Sequence, residues 1–234
     1  VEENCIQDGL FVVAVCQEDK ERLKQLYLAS ENKIFIVENG MDFSFSRRLT
    51  PAEKEALKRR IGISGIPCGV FIGSYHGPNI EALREIEKMC ELLPEVLFLI
   101  AGTVCDASSS RPPENLKPLG LLSEEEKALL LSMSDFALNP VITGSGSNLK
   151  LLEYIAFFLP VVTTPFGIRG FDFTEDHLFV AELSKFPEKI LEVINDHDLE
   201  ERPRRAWDFA RSRYDWKILG KKLLLLLEDF VKKV

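Results

Sequence analysis

Hydrophobic residues fall in short runs along the chain, and longer stretches that mix apolar and charged positions separate them. The runs have the length of buried strands, and they cover residues 10–16, 33–37, 69–72, 96–101, 115–120, 135–139, 160–164 and 178–180. The intervening stretches predict helices over residues 17–28, 51–60, 79–92, 123–132, 147–158, 184–195, 206–214 and 216–233. This alternation predicts an α/β fold whose main part is a Rossmann-like, doubly wound parallel sheet with helices on both faces.

Local signals sharpen several helix boundaries. Residues 50–53 (Thr-Pro-Ala-Glu) form a capping box with proline at the first helical position, and residues 123–126 (Ser-Glu-Glu-Glu) start a helix by the same logic. We expect Asn79 to be the N-cap of its helix. Pro203 is expected to break the chain before the helix at residue 206. The five leucines at residues 223–227 cannot share one helix face, so they predict a helix buried on several sides; a membrane-surface helix is the alternative.

The stretch from residue 139 to residue 170 is where the chain is most informative about chemistry. A glycine-serine loop follows a predicted strand there and opens a helix. The first amides of a helix have no internal partner, the helix dipole is positive at that end, and glycine lets the backbone approach a phosphate closely. The sequence therefore predicts an anion site at Thr143, Gly144, Ser145, Gly146, Ser147 and Asn148.

Two charged residues on that helix extend the prediction. Lys150 lies in the first turn, where a cation opposes the dipole at a cost of roughly 0.3–1 kcal/mol, so a bound anion would explain its position. Glu153 follows three residues later on the same face, where its carboxylate could accept two hydrogen bonds from a ribose diol. A pair between Lys150 and Glu153 themselves explains the spacing equally well, and both interpretations stay open.

The loop at residues 73–79 (GSYHGPN) follows the strand at 69–72. Ligands of doubly wound sheets bind at the carboxyl ends of the strands, so Gly73 and Ser74 are well placed for a phosphate or a sugar. His76 either donates a hydrogen bond to that ligand or is an ordinary surface histidine. Arg169 offers a similar choice between a second cation of the site and a partner in a surface salt bridge.

Composition narrows the function classes. The chain has 234 residues, of which 46% are hydrophobic, so a sizeable core is expected. The net charge of −8 argues against a nucleic-acid binder that works through broad electrostatics. The five cysteines form no Cys-x-x-Cys pair, and His76, His177 and His197 are far apart, so no metal site is predicted. Free thiols in a reducing cytosol are the expected state.

Signals for targeting are absent from the sequence. No signal peptide is visible, and no apolar run approaches the roughly 20 residues that span a bilayer. Because the chain begins with Val1 rather than Met, the interpretation as a fragment of a longer protein stays open.

The string Gly-Ser-Gly-x-Asn-x-Lys-x-x-Glu at residues 144–153, followed by Pro-Val-Val-x-Thr at 160–164, resembles a known motif. It is similar to the donor-binding motif of retaining, nucleotide-sugar-dependent glycosyltransferases with the GT-B fold, the glycosyl transferases group 1 family. The segments at 73–79 (Gly-Ser…Pro-Asn) and 39–42 (Asn-Gly-hydrophobic-Asp) match the same family. The resemblance extends over residues 10–232, and its specific part is residues 144–170.

The resemblance implies transfer of a sugar, expected to be of hexosyl type, from a nucleoside diphosphate sugar to an acceptor with retention. It implies no metal or other cofactor, because the helix dipole and Lys150 would offset the charge of the leaving diphosphate. The ribose would bind to Glu153, and the base near residues 121–123 after Gly120. The implied donor-binding residues are Gly73, Ser74, His76, Gly144, Ser145, Gly146, Ser147, Asn148, Lys150 and Glu153. Many members contact the donor sugar with a second glutamate, which is replaced here by Ser145.

The resemblance also implies a domain organisation. Residues 1–45 would be the tail of the acceptor-side N-terminal domain with its linker, residues 46–214 the nucleotide-sugar-binding domain, and residues 215–234 a helix that packs back toward the N-terminal domain. The catalytic residues would then lie in the missing part of the N-terminal domain. We therefore expect the chain by itself to bind the donor without turnover.

Two alternatives remain from the sequence. Ser145 and the short N-terminal part favour a non-catalytic nucleotide-sugar-binding or interaction module, and a sugar-nucleotide epimerase of the same fold would carry the same motif. The base, the sugar and the acceptor (a saccharide, a lipid or a protein) are not readable from these residues. We expect a cytoplasmic protein without a nucleic-acid partner, and contact with the inner face of a membrane through the missing domain stays open.

Overall fold

The computed structural model describes residues 2–46, 48–196 and 199–233. Arg47 and His197 lie outside these ranges. The strands of the described residues are β1 (Val12–Ala14), β2 (Ile34–Ile36), β3 (Cys68–Ile72), β4 (Leu97–Ala101), β5 (Leu116–Pro118), β6 (Phe136–Asn139), β7 (Val161–Thr163) and β8 (Phe179–Val180). Their α-helices are α1 (Glu2–Asp8), α2 (Gln17–Tyr27), α3 (Pro51–Arg60), α4 (Gly77–Leu92), α5 (Glu124–Met133), α6 (Leu149–Ala156), α7 (Phe186–Asn195), α8 (Glu201–Tyr214) and α9 (Trp216–Lys233).

The main sheet has six parallel strands in the order β5-β4-β3-β6-β7-β8. This is the strand order of a doubly wound, Rossmann-like sheet, so the predicted α/β fold is confirmed. The first two strands, β1 and β2, pair in parallel in a separate small sheet.

The core of the main sheet follows from its central strands. Strands β3, β4 and β6 are buried along almost their whole length, as expected of parallel strands that are covered on both faces. Successive side chains point to opposite faces. Phe71 therefore packs with Ile86 of α4 and Ile190 of α7, whereas Val70 packs on the other face with Tyr154 of α6.

The two capping boxes are confirmed, because in each the hydroxyl accepts from a backbone amide and the glutamate bonds back. Two other boundary predictions are wrong. The N-cap of α4 is His76 rather than Asn79, which lies inside the first turn. Pro203 does not break the chain but occupies the first turn of α8, where a backbone N–H would have no helical partner in any case. The short helix α1 was not predicted.

Helix α9 packs on the small sheet, since the rings of Phe230 and Phe11 lie 5.4 Å apart and Lys222 Nζ lies 2.6 Å from a Glu38 carboxylate oxygen. The prediction of a helix buried on several sides is wrong. Leu224 and Leu225 are 56% and 65% exposed, because only one face of a helix with 3.6 residues per turn can lie against a single neighbouring surface.

A buried cation secures the amino end of the main sheet. Lys58 on α3 is 4% exposed. Its ammonium donates to the carboxylate of Asp135, and also to the Ile66 carbonyl at 2.9 Å. The same carboxylate accepts from the Cys68 amide at 2.8 Å. The starts of β3 and β6 and the helix α3 are thus joined through one carboxylate.

We predict that Asp135→Ala lowers the free energy of unfolding by about 3 kcal/mol, the low end for breaking a buried pair because Asp135 keeps some exposure. Urea unfolding measures this change. The matched control is Asp172→Ala, which removes an exposed carboxylate paired with Arg213 and should cost less than about 1 kcal/mol. Equal losses in the two variants would show that the Lys58 pair does not secure the sheet.

Candidate functional site

The strand order creates a crevice between β3 and β6. The chain continues from β3 to β4 and β5 on one side, and from β6 to β7 and β8 on the other. In doubly wound sheets the ligand lies outside the carboxyl ends of two such neighbouring strands. The loop that starts at Gly73 follows β3, and the loop at residues 140–148 follows β6. The structure therefore brings the two predicted loops to the same edge of the sheet.

Two contacts across the crevice show how close these loops are. Lys150 Nζ, on α6, donates to Asn79 Oδ1, on α4, at 2.6 Å. A Cβ atom added to Gly144 would lie 3.3 Å from Cγ of Pro78. The two helix starts, α4 and α6, thus form opposite walls of one site.

The glycine-serine loop has a backbone that requires glycine. The φ angles of Gly144 and Gly146 are +123° and +71°, a region that side-chain-bearing residues rarely adopt. Arg169 holds this loop by its carbonyls: its Nε donates to Gly146 O at 2.8 Å and its Nη1 to Gly144 O at 3.2 Å. The guanidinium also lies over the Phe166 ring, 4.3 Å from its centroid. Within the described residues, Arg169 makes these contacts in place of a surface salt bridge.

The helix that follows the loop leaves its first amides available. Helix α6 begins at Leu149. Among the described residues, the amides of Leu149 and Lys150 have no hydrogen-bond partner, whereas the Leu151 amide donates to Asn148 O at 3.0 Å. The side chain of Asn148, the N-cap residue, turns away to donate to Gly167 O at 3.1 Å. An anion at this end of α6 would meet free amides and the positive end of the dipole.

The buried side-chain amide of Asn139 fixes the segment that follows β7. Asn139, at the end of β6, is fully buried and donates to Thr163 Oγ1 at 3.1 Å and to Gly167 O at 3.0 Å. Because Asn148 donates to the same carbonyl, the segment that carries Arg169 is fixed to both β6 and the start of α6. The sequence offered no signal for this role of Asn139 beyond its place at a strand end.

Lys150 is the cation of the site. Its ammonium bonds to Asn79 and lies 4.4 Å from the centroid of the Phe71 ring. Burial among these groups lowers the pKa of Lys150 to about 7, and the nearby Glu153 carboxylate offsets part of this effect. The hydrogen bond to Asn79 and the contact with Phe71 favour the charged form but do not offset the burial, so a bound anion would stabilise that form further.

Glu153 bonds to a different lysine. Its Oε1 lies 3.2 Å from Lys127 Nζ, on α5, whereas Lys150 bonds to Asn79. Among the described residues, Lys150 and Glu153 therefore do not form the ion pair that the spacing left open. The Glu153 carboxylate is partly exposed and keeps acceptor positions for a further donor.

Asn79 links the loop after β3 to Lys150. Its amide nitrogen donates to the Ser74 carbonyl at 3.1 Å and to the Ser74 hydroxyl at 3.2 Å, while its oxygen accepts from Lys150. The sequence placed Gly73, Ser74 and His76 near the site but gave Asn79 only a capping role. His76 is exposed at the N-cap of α4.

Ser145 and Ser147 occupy different environments. Ser145 is exposed. Ser147 Oγ accepts a hydrogen bond from Asn39 Nδ2 at 2.7 Å. The segment after β2 therefore reaches the loop, a contact that the sequence analysis did not anticipate.

Within residues 2–46, 48–196 and 199–233, no three His, Cys, Asp or Glu side chains are grouped so that they could hold a metal ion. In the same ranges no helix is long and apolar enough to cross a membrane.

The protein-family model for glycosyl transferases group 1 matches residues 67–196, more than half of the chain. This match begins at the amino end of β3 and includes both loops of the site. A search of the curated proteins gives no match.

Solved structures with a similar fold include several glycosyltransferases. A glycosyltransferase from Rickettsia africae superposes with a TM-score of 0.79 on 97% of this chain at 18% identity. Anabaena HepE in complex with UDP and glucose gives 0.76 on 96% at 14% identity, and sucrose-phosphate synthase from Thermosynechococcus elongatus gives 0.77 on 100% at 11% identity. The chain spans 65%, 65% and 61% of these three proteins. They share the GT-B fold with it.

The lowered pKa of Lys150 makes a prediction about stability. Between about pH 7 and the ordinary lysine pKa of 10.5, the unfolded chain holds a proton on this lysine that the folded chain has released. Stability therefore rises with pH in this window, by at most about 1.4 kcal/mol per pH unit. We expect the wild-type chain to gain stability relative to Lys150→Met between about pH 6.5 and pH 8.5, as measured by urea unfolding.

The matched control for this experiment is Lys117→Met, which removes an exposed lysine of β5. It should follow the wild-type pH dependence. A constant difference between wild type and Lys150→Met across this range would contradict the buried, easily deprotonated state of Lys150.

Proposed function

The chain belongs to the glycosyl transferases group 1 family, and we propose that it supplies the donor-binding part of a retaining glycosyltransferase. The donor would be a nucleoside diphosphate sugar, of hexosyl type, and the reaction would need no metal. The single observation that carries the proposal is the arrangement of Lys150 beside the open end of α6, at the crevice between β3 and β6. This arrangement combines the chemical features that a diphosphate requires.

We assign the diphosphate to the backbone amides of the glycine-serine loop and the start of α6. Three features support this role: glycines that permit close approach, the positive end of the helix dipole, and the Lys150 ammonium. The two loop carbonyls that would repel an anion are bound to Arg169. Together with Glu153, the proposed donor-binding residues are Gly73, Ser74, His76, Gly144, Ser145, Gly146, Ser147, Asn148 and Lys150.

We assign the ribose to Glu153, one turn further along α6. Its carboxylate shares Lys127 with Glu124. The cation therefore holds the carboxylate in place, and the carboxylate can still accept further hydrogen bonds. A diol can donate two hydrogen bonds to one carboxylate. The solved structures of HepE with UDP, which share the fold, make UDP the first ligand to test.

The proposal includes a domain organisation and a reaction for the whole protein. We infer that residues 1–45 are the tail of the acceptor-side domain with its linker, and that residues 215–234 return to that domain. The catalytic residues would then belong to the part of the fold that the neighbours have beyond the length of this chain. A saccharide, lipid or protein acceptor would bind there, and the 234-residue chain alone would bind the donor without turnover.

A non-catalytic nucleotide-sugar-binding module is the second candidate. The observation in its favour is Ser145, whose hydroxyl replaces a carboxylate at the position where many related enzymes contact the donor sugar. A module of this kind would bind the nucleotide diphosphate as tightly as an enzyme does. It would show no transfer even when the whole parent protein is assayed with acceptors.

The proposal predicts that one nucleoside diphosphate stabilises the folded chain. Thermal unfolding in UDP, GDP, ADP and inorganic diphosphate should show a rise with one nucleotide, expected to be UDP. A ligand at about 100 times its dissociation constant adds roughly 2.7 kcal/mol, which corresponds to about 5–10 °C for a chain of this size. No rise with any of the four ligands, in a sample that unfolds cooperatively, would contradict a donor site in this chain.

Variants of Lys150 and Glu153 should distinguish binding of the diphosphate from binding of the nucleoside. Lys150→Ala is expected to weaken the binding of both UDP and inorganic diphosphate. The loss of binding free energy should be roughly 1.5–3 kcal/mol, the scale of a hydrogen bond to a charged group. Glu153→Ala should weaken UDP but not inorganic diphosphate, as measured by calorimetric titration. Glu124→Ala is the matched control, because it removes the exposed carboxylate that shares Lys127 with Glu153 and should leave both affinities unchanged. Equal losses of both ligands in Glu153→Ala would refute the ribose assignment.

A further inference from the structure

The segment after β2 has fixed neighbours on both sides of Asn39. Glu38 pairs with Lys222 of α9, with 2.6 Å between the charged atoms. A Cβ atom on Gly40 would lie 2.6 Å from the Tyr214 carbonyl oxygen, so only glycine fits at that position. The Met41 amide donates to the same carbonyl at 2.9 Å. Asn39 is therefore presented to the glycine-serine loop by fixed neighbours.

The contact that Asn39 makes is a single directed hydrogen bond. Its Nδ2 donates to Ser147 Oγ at 2.7 Å, across 108 positions of sequence. Among the described residues, this is the one hydrogen bond that Ser147 Oγ makes. Since a hydroxyl has one hydrogen and two lone pairs, an oxygen that accepts from Asn39 keeps its hydrogen for another acceptor.

Ser147 stands where such a hydrogen would meet an anion. It lies just before Asn148, the N-cap of α6, and just after Gly146, whose carbonyl is bound by Arg169. We propose that Asn39 is a positioning residue for the nucleotide diphosphate, which fixes the Ser147 hydroxyl as a donor to a phosphate oxygen. This inference rests on the proposed function, and it gives the N-terminal segment a role in donor binding.

Reversing the direction of the hydrogen bond between Asn39 and Ser147 tests the inference. In Asn39→Asp the new carboxylate would accept the Ser147 hydrogen and add negative charge beside the loop. We expect the affinities for UDP and for inorganic diphosphate to fall together, by about 10-fold to 100-fold, as measured by calorimetric titration. The matched control is Asn32→Asp, which adds the same charge at an exposed position just before β2. It should leave both affinities unchanged.

A double-mutant cycle shows whether Asn39 acts through Ser147. Asn39→Ala should lower the affinity for UDP in the wild-type chain and should lower it no further in a Ser147→Ala background. Thermal unfolding without ligand identifies any variant that simply fails to fold, and a loss of affinity with an unchanged Tm is the expected result. Additive losses would mean that Asn39 does not act through the hydroxyl.

The outcomes distinguish this inference from the proposed function. If the wild-type chain binds UDP and Asn39→Asp binds it equally well, the positioning role is overturned and the donor site stands. If the wild-type chain binds neither a nucleoside diphosphate nor inorganic diphosphate, the proposed function and the role of Asn39 are overturned together.

Discussion

The adjacency of β3 and β6 is the constraint on which the rest of the site depends. Because the chain leaves these two strands on opposite sides of the sheet, their loops diverge and open a crevice. The crevice sets α4 and α6 as facing walls, and it is narrow enough for Lys150 to reach Asn79 directly. Burial of Lys58 against Asp135 secures the amino ends of the same two strands, so one pair of strands carries both the stability and the chemistry.

Sequence patterns were sufficient for the elements and for the loop. The hydrophobic runs gave the strands of the main sheet, since parallel strands covered on both faces need continuous apolar sequence. They could not give the contacts that define the site. Lys150 and Asn79 are 71 positions apart, and Asn39 and Ser147 are 108 apart. Such pairs depend on how the strands are ordered, and local spacing suggested Glu153 as the partner of Lys150 instead.

The two wrong predictions of helix boundaries have a common physical origin. Proline is unfavourable inside a helix but costs little in the first turn, and nothing local to Pro203 indicates where α8 begins. Asparagine is a good N-cap, yet Asn79 lies in the first turn of α4, where its side chain instead links Ser74 to Lys150. In each case the residue type allowed two positions one turn apart, and tertiary contacts selected between them.

The cations of the site are used unequally, and this determines how the site would handle charge. Arg169 donates to the carbonyls of Gly144 and Gly146. Its main role is therefore to fix the loop rather than to bind a ligand. Among the described residues, Lys150 contacts the neutral groups of Asn79 and Phe71, and its burial lowers its pKa to about 7. Binding of a diphosphate would favour its charged form, so the empty site would take up a proton as the ligand enters near neutral pH. Lys150 can thus be partly neutral near pH 7 in the free protein and still present a cation to an anionic ligand.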